Sequence, residues 1–276
     1  MVIALKTKQN LHIHTTYADG KDKPEEIILE AIKTGFDSIG FSEHTYLEFS
    51  DYPYQMTVED MYRYRSEVLA LKEKYKHQIE IFCGLEYDLY SDVPTEGFDY
   101  LIGAVHYLDF GDKKLGFDRG AKEVASYVQN NFGGDGLAFA KKYYETLQLL
   151  PTVGKFDILA HHDTVIKTNE ILHFVDTSSK EYIRYGIEAI HELKGKIPLF
   201  EVNSGAIARG YNKTPYPQME FLKEFKACGF GAITTSDCHD KNYIDCYYKE
   251  MRELLLAAGF TSHFVLTENG FIEEAL

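Results

Sequence analysis

The chain has 276 residues, of which 45% are hydrophobic and 26% charged, with a formal net charge of −14. That balance suits a globular protein with one sizeable core. It argues against a nucleic-acid backbone as partner, because no basic stripe is present to neutralise phosphates, and no apolar run reaches the roughly 20 residues of a membrane span.

In chain order, Met1–Leu5 is a short apolar stretch without the long hydrophobic region of a secretory leader, so the cytoplasm is the expected compartment. Asn10–His14 reads as the first strand and carries His12-Ile13-His14. Two histidines at i and i+2 of a strand project from one face, roughly 6–7 Å apart, and can converge on one cation. Asp19-Gly20 forms a turn soon after. Pro24–Thr34 predicts a helix, with proline at its start, Glu25 and Glu26 in the first turn, and Gly35 as its stop. Ile27, Ile28, Ala31 and Ile32 give it one apolar face. Ser38–Phe41 reads as a strand leading through Ser42-Glu43 to His44, and the tyrosine-rich loop Glu48–Met56 follows. After a helical pattern over Val58–Lys76, the strand Ile79–Leu85 ends at Glu86 and the strand Tyr100–Val105 ends at His106. The polar, glycine-rich stretch Asp109–Gly120 reads as a loop. A helix over Gly136–Leu150 precedes the strand Ile158–Ala160, which ends at His161. Helix Lys180–Leu193, strand Leu199–Val202, helix Pro217–Cys228, strand Gly231–Thr235 and helix Ile244–Ala258 complete the pattern, with Asp237-Cys238-His239 after the last strand.

Strand–helix alternation of this kind implies a parallel sheet. Seven such strands in a chain of this length predict a single-domain barrel, whose strand-to-helix loops surround the site. The loops Glu48–Met56 and Asp109–Gly120 are therefore candidate substrate-facing segments. The first and last strands of a closed barrel are neighbours, so the His-x-His and Asp-x-His pairs should meet at the seam. Nine ligand-type side chains then gather at one rim: His12, His14, Asp19, His44, Glu86, His106, His161, Asp237 and His239. Glu86, with two carboxylate oxygens, can bridge two cations. Cys238 alternates away from the rim if its segment is extended, and is expected to pack. His162 adjoins His161 and is left to support a ligand or touch substrate. His77, His173, His191 and His263 lack such company and read as surface or packing residues. Cys83, Cys228, Cys238 and Cys246 show no CxxC spacing and suit a reducing compartment.

These segments resemble the polymerase-and-histidinol-phosphatase (PHP) superfamily. Asn10-Leu11-His12-Ile13-His14-Thr15 with Asp19-Gly20 is similar to its first motif and Phe41-Ser42-Glu43-His44 to its second. Gly84-Leu85-Glu86, Ala104-Val105-His106 and Ser236-Asp237-Cys238-His239 resemble later ones, in the right order. Ala104–Leu108, Phe156–Asp163 and Glu201–Arg209 look most like the histidinol-phosphate phosphatases within it. The resemblance implies a distorted TIM-like (β/α)7 barrel and a site for three divalent ions, zinc, manganese or iron. It places His12, His14, Glu86 and Asp237 on the first ion, Glu86, His106 and His161 on the second, and Asp19, His44 and His239 on the third. Asn10 departs from the family's usual aspartate but can still accept a hydrogen bond from a ligand imidazole. His162 replaces a more common aliphatic residue.

Three divalent ions bring +6 and the carboxylates Asp19, Glu86 and Asp237 return −3, leaving a positive pocket that attracts a phosphate monoester. The expected nucleophile is a metal-bridging hydroxide held by Glu86, His106 and Asp237, attacking in line. Arg209, Asn203 and Arg119 are the expected substrate contacts, since a guanidinium fork matches phosphate oxygens bidentately. Tyr17, Tyr107 and Tyr216 are placed to reach the pocket mouth. The leading expectation is a phosphatase releasing L-histidinol and phosphate from L-histidinol phosphate. Alternatives are a phosphatase for another small monoester (a nucleotide, a sugar phosphate or phosphotyrosine) and a non-catalytic, metal-stabilised module.

Overall fold

Short strands that are apolar on both faces need burial on both faces, and this chain provides it by curling them into a barrel wrapped in helices. In the computed structural model the described residues are 7–50, 52 and 55–276. Met1–Leu5, and Asp51, Pro53 and Tyr54 of the tyrosine-rich loop, lie outside the described residues. The first four strands are β1 (Gln9–Asn10), β2 (Ser38–His44), β3 (Glu80–Asp88) and β4 (Tyr100–Ala104). A small antiparallel hairpin follows, β5 (Tyr107–Asp109) and β6 (Lys114–Gly116). Then come β7 (Ile158–Leu159), β8 (Leu199–Asn203) and β9 (Gly231–Thr235), and a second hairpin of β10 (Ser262–Thr267) and β11 (Gly270–Ala275) ends the chain.

The order β1-β2-β3-β4-β7-β8-β9 forms one seven-stranded parallel sheet. Its edges approach at the expected seam, where Ile13 pairs with Cys238, the His14 amide donates to the Cys238 carbonyl (2.8 Å) and the Cys238 amide to the His12 carbonyl (3.0 Å). The barrel is nearly closed and TIM-like.

Inside the barrel, Leu11, Phe82, Tyr100, Ile102, Ile158, Leu199 and Ile233 fill the lower half, and Leu266 of the last hairpin plugs the bottom. The Gln9 side chain ties that plug in place, donating to the Leu266 carbonyl (2.9 Å) and accepting from its amide (2.8 Å). Tyr100 lies across the interior with its hydroxyl 2.6 Å from the Leu11 carbonyl and 2.9 Å from that of Phe41. Its ring needs Gly84 opposite, because a Cβ there would stand 2.5 Å from it. Outside, helices such as Pro24–Lys33, Val58–Tyr75 and Lys180–Leu193 turn Ile27, Ile28, Tyr64, Val68, Tyr182 and Ile190 onto the strands' outer faces. Among the described residues no helix is long and apolar enough to cross a membrane.

Several boundaries differ from expectation for identifiable reasons. The first strand stops at Asn10 because its side chain captures the His12 amide (3.2 Å), while Tyr100 occupies the Leu11 carbonyl. Leu11 packs in the barrel interior and Ile13 in the outer layer, so strict alternation breaks here and both Leu11 and His12 face inward. The helix Ala121–Phe132 was not expected; its apolar stripe is only Val124, Tyr127 and Val128, bounded by glycines at 120 and 133. The Asp109–Gly120 loop contains most of the hairpin β5–β6, and the closing hairpin β10–β11 carries no signal of the strand–helix kind. The last helix begins at Tyr248 instead of Ile244, after a single 3₁₀ turn over Lys241–Tyr243 that Asp240 caps.

Candidate metal centre

The upper half of the same barrel interior is polar. On β3, alternation from Phe82 through Gly84 brings Glu86 inward, two residues before the strand ends. On β8 it brings Glu201 inward above Leu199. His44 closes β2, while His106, His161 and Asp237 each lie two residues beyond β4, β7 and β9. Asp237 reaches the rim through a left-handed turn (φ 45°), not as part of an extended strand. Gly205 makes room for it, since a Cβ there would stand 2.7 Å from the Asp237 side chain.

Glu86 is the hub. Its Oε1 is 3.0 Å from His161 Nε2 and 3.3 Å from His106 Nε2. Its Oε2 is 2.8 Å from His44 Nδ1, 3.4 Å from His12 Nε2 and 3.5 Å from His14 Nε2. Five imidazoles thus surround one buried carboxylate. Asp237 Oδ1 stands 3.3 Å from His239 Nδ1, 3.5 Å from His14 Nε2 and 3.8 Å from His12 Nε2. Asp19 Oδ1 stands 3.0 Å from His239 Nε2, 3.6 Å from His44 Nε2 and 3.7 Å from His14 Nδ1. All nine expected ligand residues therefore meet at one rim.

Eight of them cluster as three overlapping groups with ligand atoms within 4.8 Å of one another: His12, His14 and Asp237; His44, Glu86 and His106; and His14, Asp19, His44 and His239. His161 falls in none of the three and meets the cluster at Glu86 Oε1 (3.0 Å). The grouping differs from expectation in detail. His44 approaches Glu86 more closely than Asp19, and His14 reaches toward both of its neighbouring groups.

These residues fit a cation. His12 Nε2, both ring nitrogens of His14, Asp19 Oδ1 and Glu86 Oε2 are buried without a protein hydrogen-bond partner, an arrangement that costs stability unless something positive satisfies it. The electrostatics agree at His14 and Glu86, whereas His12, His44 and His106 hold protons that a cation would displace. Burial, with His239 and His44 beside it, pushes His14 down to about 3, so it is a neutral imidazole ready to donate a lone pair. Burial also opposes the charge on Glu86, yet His44, His106 and His12 hold its carboxyl well below the usual range. Burial resists charging His106 too, but the Glu86 carboxylate and the bond to Asp88 lift it to about 10.

A supporting layer orients the ligands. Glu201 is its centre and was not singled out from sequence. Its Oε2 meets His12 Nδ1 at 2.9 Å and the Thr235 hydroxyl at 2.8 Å, and its Oε1 accepts from the His161 amide at 2.7 Å. Its signal was a glutamate on an otherwise apolar strand. Asp88 lies 3.3 Å from His106 Nδ1, and its Oδ2 accepts the His106 amide at 2.9 Å. Glu43 accepts from both the amide and the hydroxyl of Thr15, holding the turn after His14. Asn10 does not contact an imidazole as expected. Its amide donates to Ser236 Oγ (2.7 Å) and its carbonyl receives the His12 amide, clamping the seam.

The cleft above the cluster is lined by Tyr52, Asp118, Arg119, Lys167, Arg209 and Tyr211 as well as by ligand residues. Arg209 points into it, donating from Nη2 to Asp237 Oδ2 (2.9 Å), with Nη1 2.8 Å from His239 Nδ1. Arg119 lies over the Tyr52 ring at 4.1 Å. Lys167, which the sequence did not mark, sits in the wall with its ammonium 2.5 Å from Asp118. Asn203 does not reach the cleft wall: it is fully buried, donating to Glu201 (2.8 Å) and accepting from the Gly205 amide (2.8 Å). His162 turns outward between Tyr144, Phe221 and Phe225, and burial pushes it down to about 3. It touches neither ligand nor cleft. Tyr107 borders the cleft, whereas Tyr17 turns its hydroxyl to Glu67 (2.6 Å) and Tyr216 is buried off the cleft. Cys238 packs away from the rim as expected, with Sγ 3.2 Å from the Asp240 carbonyl. His77, His173 and His191 are exposed and His263 is buried, as surface and packing residues should be.

Comparisons with known proteins agree with this geometry. The PHP domain family matches residues 10–203. The chain is 34% identical over 271 residues to the histidinol-phosphatase of Bacillus subtilis, covering 89% of this chain and 98% of that one. It is 23% identical over 273 residues to the histidinol-phosphatase of Lactococcus lactis, covering 95% of each. Its fold is similar (TM-score 0.72, 20% identity, 96% of this chain and 99% of that one) to the crystal structure of the Lactococcus lactis histidinol phosphate phosphatase complexed with zinc, L-histidinol and phosphate.

Proposed function

The chain belongs to the PHP domain family, and from that premise we propose that it is a metal-dependent phosphomonoester hydrolase converting L-histidinol phosphate and water to L-histidinol and phosphate. The observation that carries this reading is Glu86, a buried carboxylate ringed by His12, His14, His44, His106 and His161 within 3.5 Å. A carboxylate so surrounded is suited to bridge two cations. We assign His12, His14, Glu86 and Asp237 to a first ion, Glu86, His106 and His161 to a second, and Asp19, His44 and His239 to a third, with zinc as the leading candidate. Bound there, divalent ions supply an acidified water as nucleophile and positive charge for the phosphoryl oxygens.

The chain's own residues do the rest. Glu201 and Asp88 hold His12 and His106 by their second ring nitrogens, which fixes the tautomer and leaves Nε2 of each facing the site. Arg209 sets a positive charge at the cleft floor while its two terminal nitrogens brace Asp237 and His239, and Arg119 offers a second cation at the wall. Asp118, kept ionised beside Lys167 although burial opposes it, gives the same cleft a negative group. A cleft with charges of both signs suits a substrate that carries a phosphate and an ammonium. Asn203 acts in this reading as a brace for Glu201, not as a substrate contact.

A phosphate-release assay on metal-replete protein tests the proposal, with L-histidinol phosphate set against a nucleotide monophosphate, a sugar phosphate and phosphotyrosine. The expected result is the highest kcat/KM on L-histidinol phosphate. Preference for another monoester would overturn the substrate, and no release from any of them would overturn the enzyme.

A further inference from the structure

A second group of metal-ligand side chains lies far from the rim, on the outer helical layer. His191 belongs to helix Lys180–Leu193, and Glu224 and Cys228 to helix Met219–Cys228. Cys228 ends its helix three residues before β9 begins, and β9 runs from there toward Asp237, so this group sits at the opposite end of the barrel from the rim.

Glu224 and Cys228 are four residues apart and share one helix face. Glu224 Oε1 is 2.6 Å from His191 Nε2 and 3.6 Å from Cys228 Sγ, and one ligand atom from each of the three lies within 4.8 Å of the others. The helices beneath them are fixed by Tyr182, Ile190, Phe221 and Phe225, all fully buried, so the three Cα positions are set before any ligand arrives. The side chains themselves remain adjustable, with His191 56% exposed and Glu224 27%.

We propose that His191, Glu224 and Cys228 form a non-catalytic binding site for one borderline divalent cation of the zinc class, clamping the two helices together. The donor set decides the class. An imidazole nitrogen, a thiolate and a carboxylate oxygen suit zinc, whereas calcium and magnesium require oxygen ligands. Metal–ligand bonds of about 2.0–2.3 Å in tetrahedral geometry place ligand atoms roughly 3.3–3.8 Å apart. The Glu224–Cys228 separation of 3.6 Å already falls in that range, and the His191–Glu224 contact needs only a small opening of two partly exposed side chains. Water completes the fourth position. Binding releases the thiol proton of Cys228 to solvent, reversing the upward push that burial and the Glu224 carboxylate exert on it.

The catalytic rim supplies only nitrogen and oxygen donors, so a thiolate signal separates the two sites. Metal-stripped full-length protein is titrated with cadmium alone, and the near-ultraviolet thiolate-to-cadmium charge-transfer absorption is followed. The expected result is a band that saturates with one thiolate-bound cadmium per chain. It should vanish in Cys228→Ser, weaken at equal cadmium in His191→Ala and Glu224→Gln, and persist in Cys238→Ser and Cys246→Ser. Phosphate release by zinc-loaded Cys228→Ser should match that of the unmodified protein. Absence of the band, its survival in Cys228→Ser, or indifference to both His191→Ala and Glu224→Gln would overturn the proposal. Activity is read separately, so none of these outcomes bears on the phosphatase assignment.

Discussion

One barrel interior holds two regions built from the same strands but with opposite energetics. Its lower half is mostly apolar: Phe82, Tyr100, Ile102, Leu199 and Leu266 fill it, and the Tyr100 hydroxyl and the Gln9 side chain there both have partners. Its upper half carries imidazoles and carboxylates, several of them buried without a partner. The lower half gains stability from burial, and the upper half surrenders some of it to keep ligands aimed at one place. A site of this kind therefore rests on a floor stable enough to tolerate it.

Substitutions should separate the two halves. The largest effect on turnover is expected at the rim: Asp237→Ala and His12→Ala should each lose bound metal and reduce phosphate release by more than the ~10–100-fold typical of a supporting group. On the floor, Ile102→Ala should lower unfolding free energy by about 2–5 kcal/mol in denaturant titrations while the folded fraction keeps its kcat. Ordinary turnover in Asp237→Ala, or metal loss in folded Ile102→Ala, would erase the distinction. Glu201→Gln lies between the halves and should cost roughly 10–100-fold in metal affinity, read by competition with a chelator, because it unsettles both His12 and His161. Arg209→Lys exchanges a fork that braces Asp237 and His239 for a point charge, so KM should rise about tenfold and metal affinity should fall with it. Unchanged KM and metal affinity in that variant would remove Arg209 from both roles.

The smallest effect concerns Glu43. Burial pushes its carboxyl from the ordinary 4.5 up to about 8, against the bonds from Thr15 that favour its charge. The folded, metal-free protein keeps a proton that the unfolded chain releases, so its stability should fall as pH rises from 4.5 through about 8. Glu43→Gln should flatten that slope in thermal melts. An unchanged slope would show that Glu43 is ionised in the fold.

Much of the rim was legible in the sequence because most of its ligands lie at or within a few residues of a strand end, where a polar residue interrupts an apolar run. His12, Glu86 and His161 announce themselves in that way, and helix Lys180–Leu193 has the bounds expected of it, with Ser179 capping its start. Partnership between distant side chains was harder to read. Glu201 looks like any strand glutamate until the fold sets it against His12, 189 residues away. Asn203 and Tyr17 stand near the site in sequence yet turn elsewhere once Glu201 and Glu67 claim them. Cys238 packs as expected, but through the left-handed turn at Asp237 instead of an extended strand. The closing hairpin was missed because its role is to plug a barrel bottom, which only a closed barrel creates.

The measurement that bears most directly on the central claim is phosphate release from L-histidinol phosphate by chelator-stripped protein as zinc is added back, with bound metal counted at each step. The account predicts no turnover in the stripped protein and a rise to a plateau at three rim-bound ions per chain, absent in His12→Ala. Full turnover by the stripped protein, or zinc-restored turnover in His12→Ala, would contradict it.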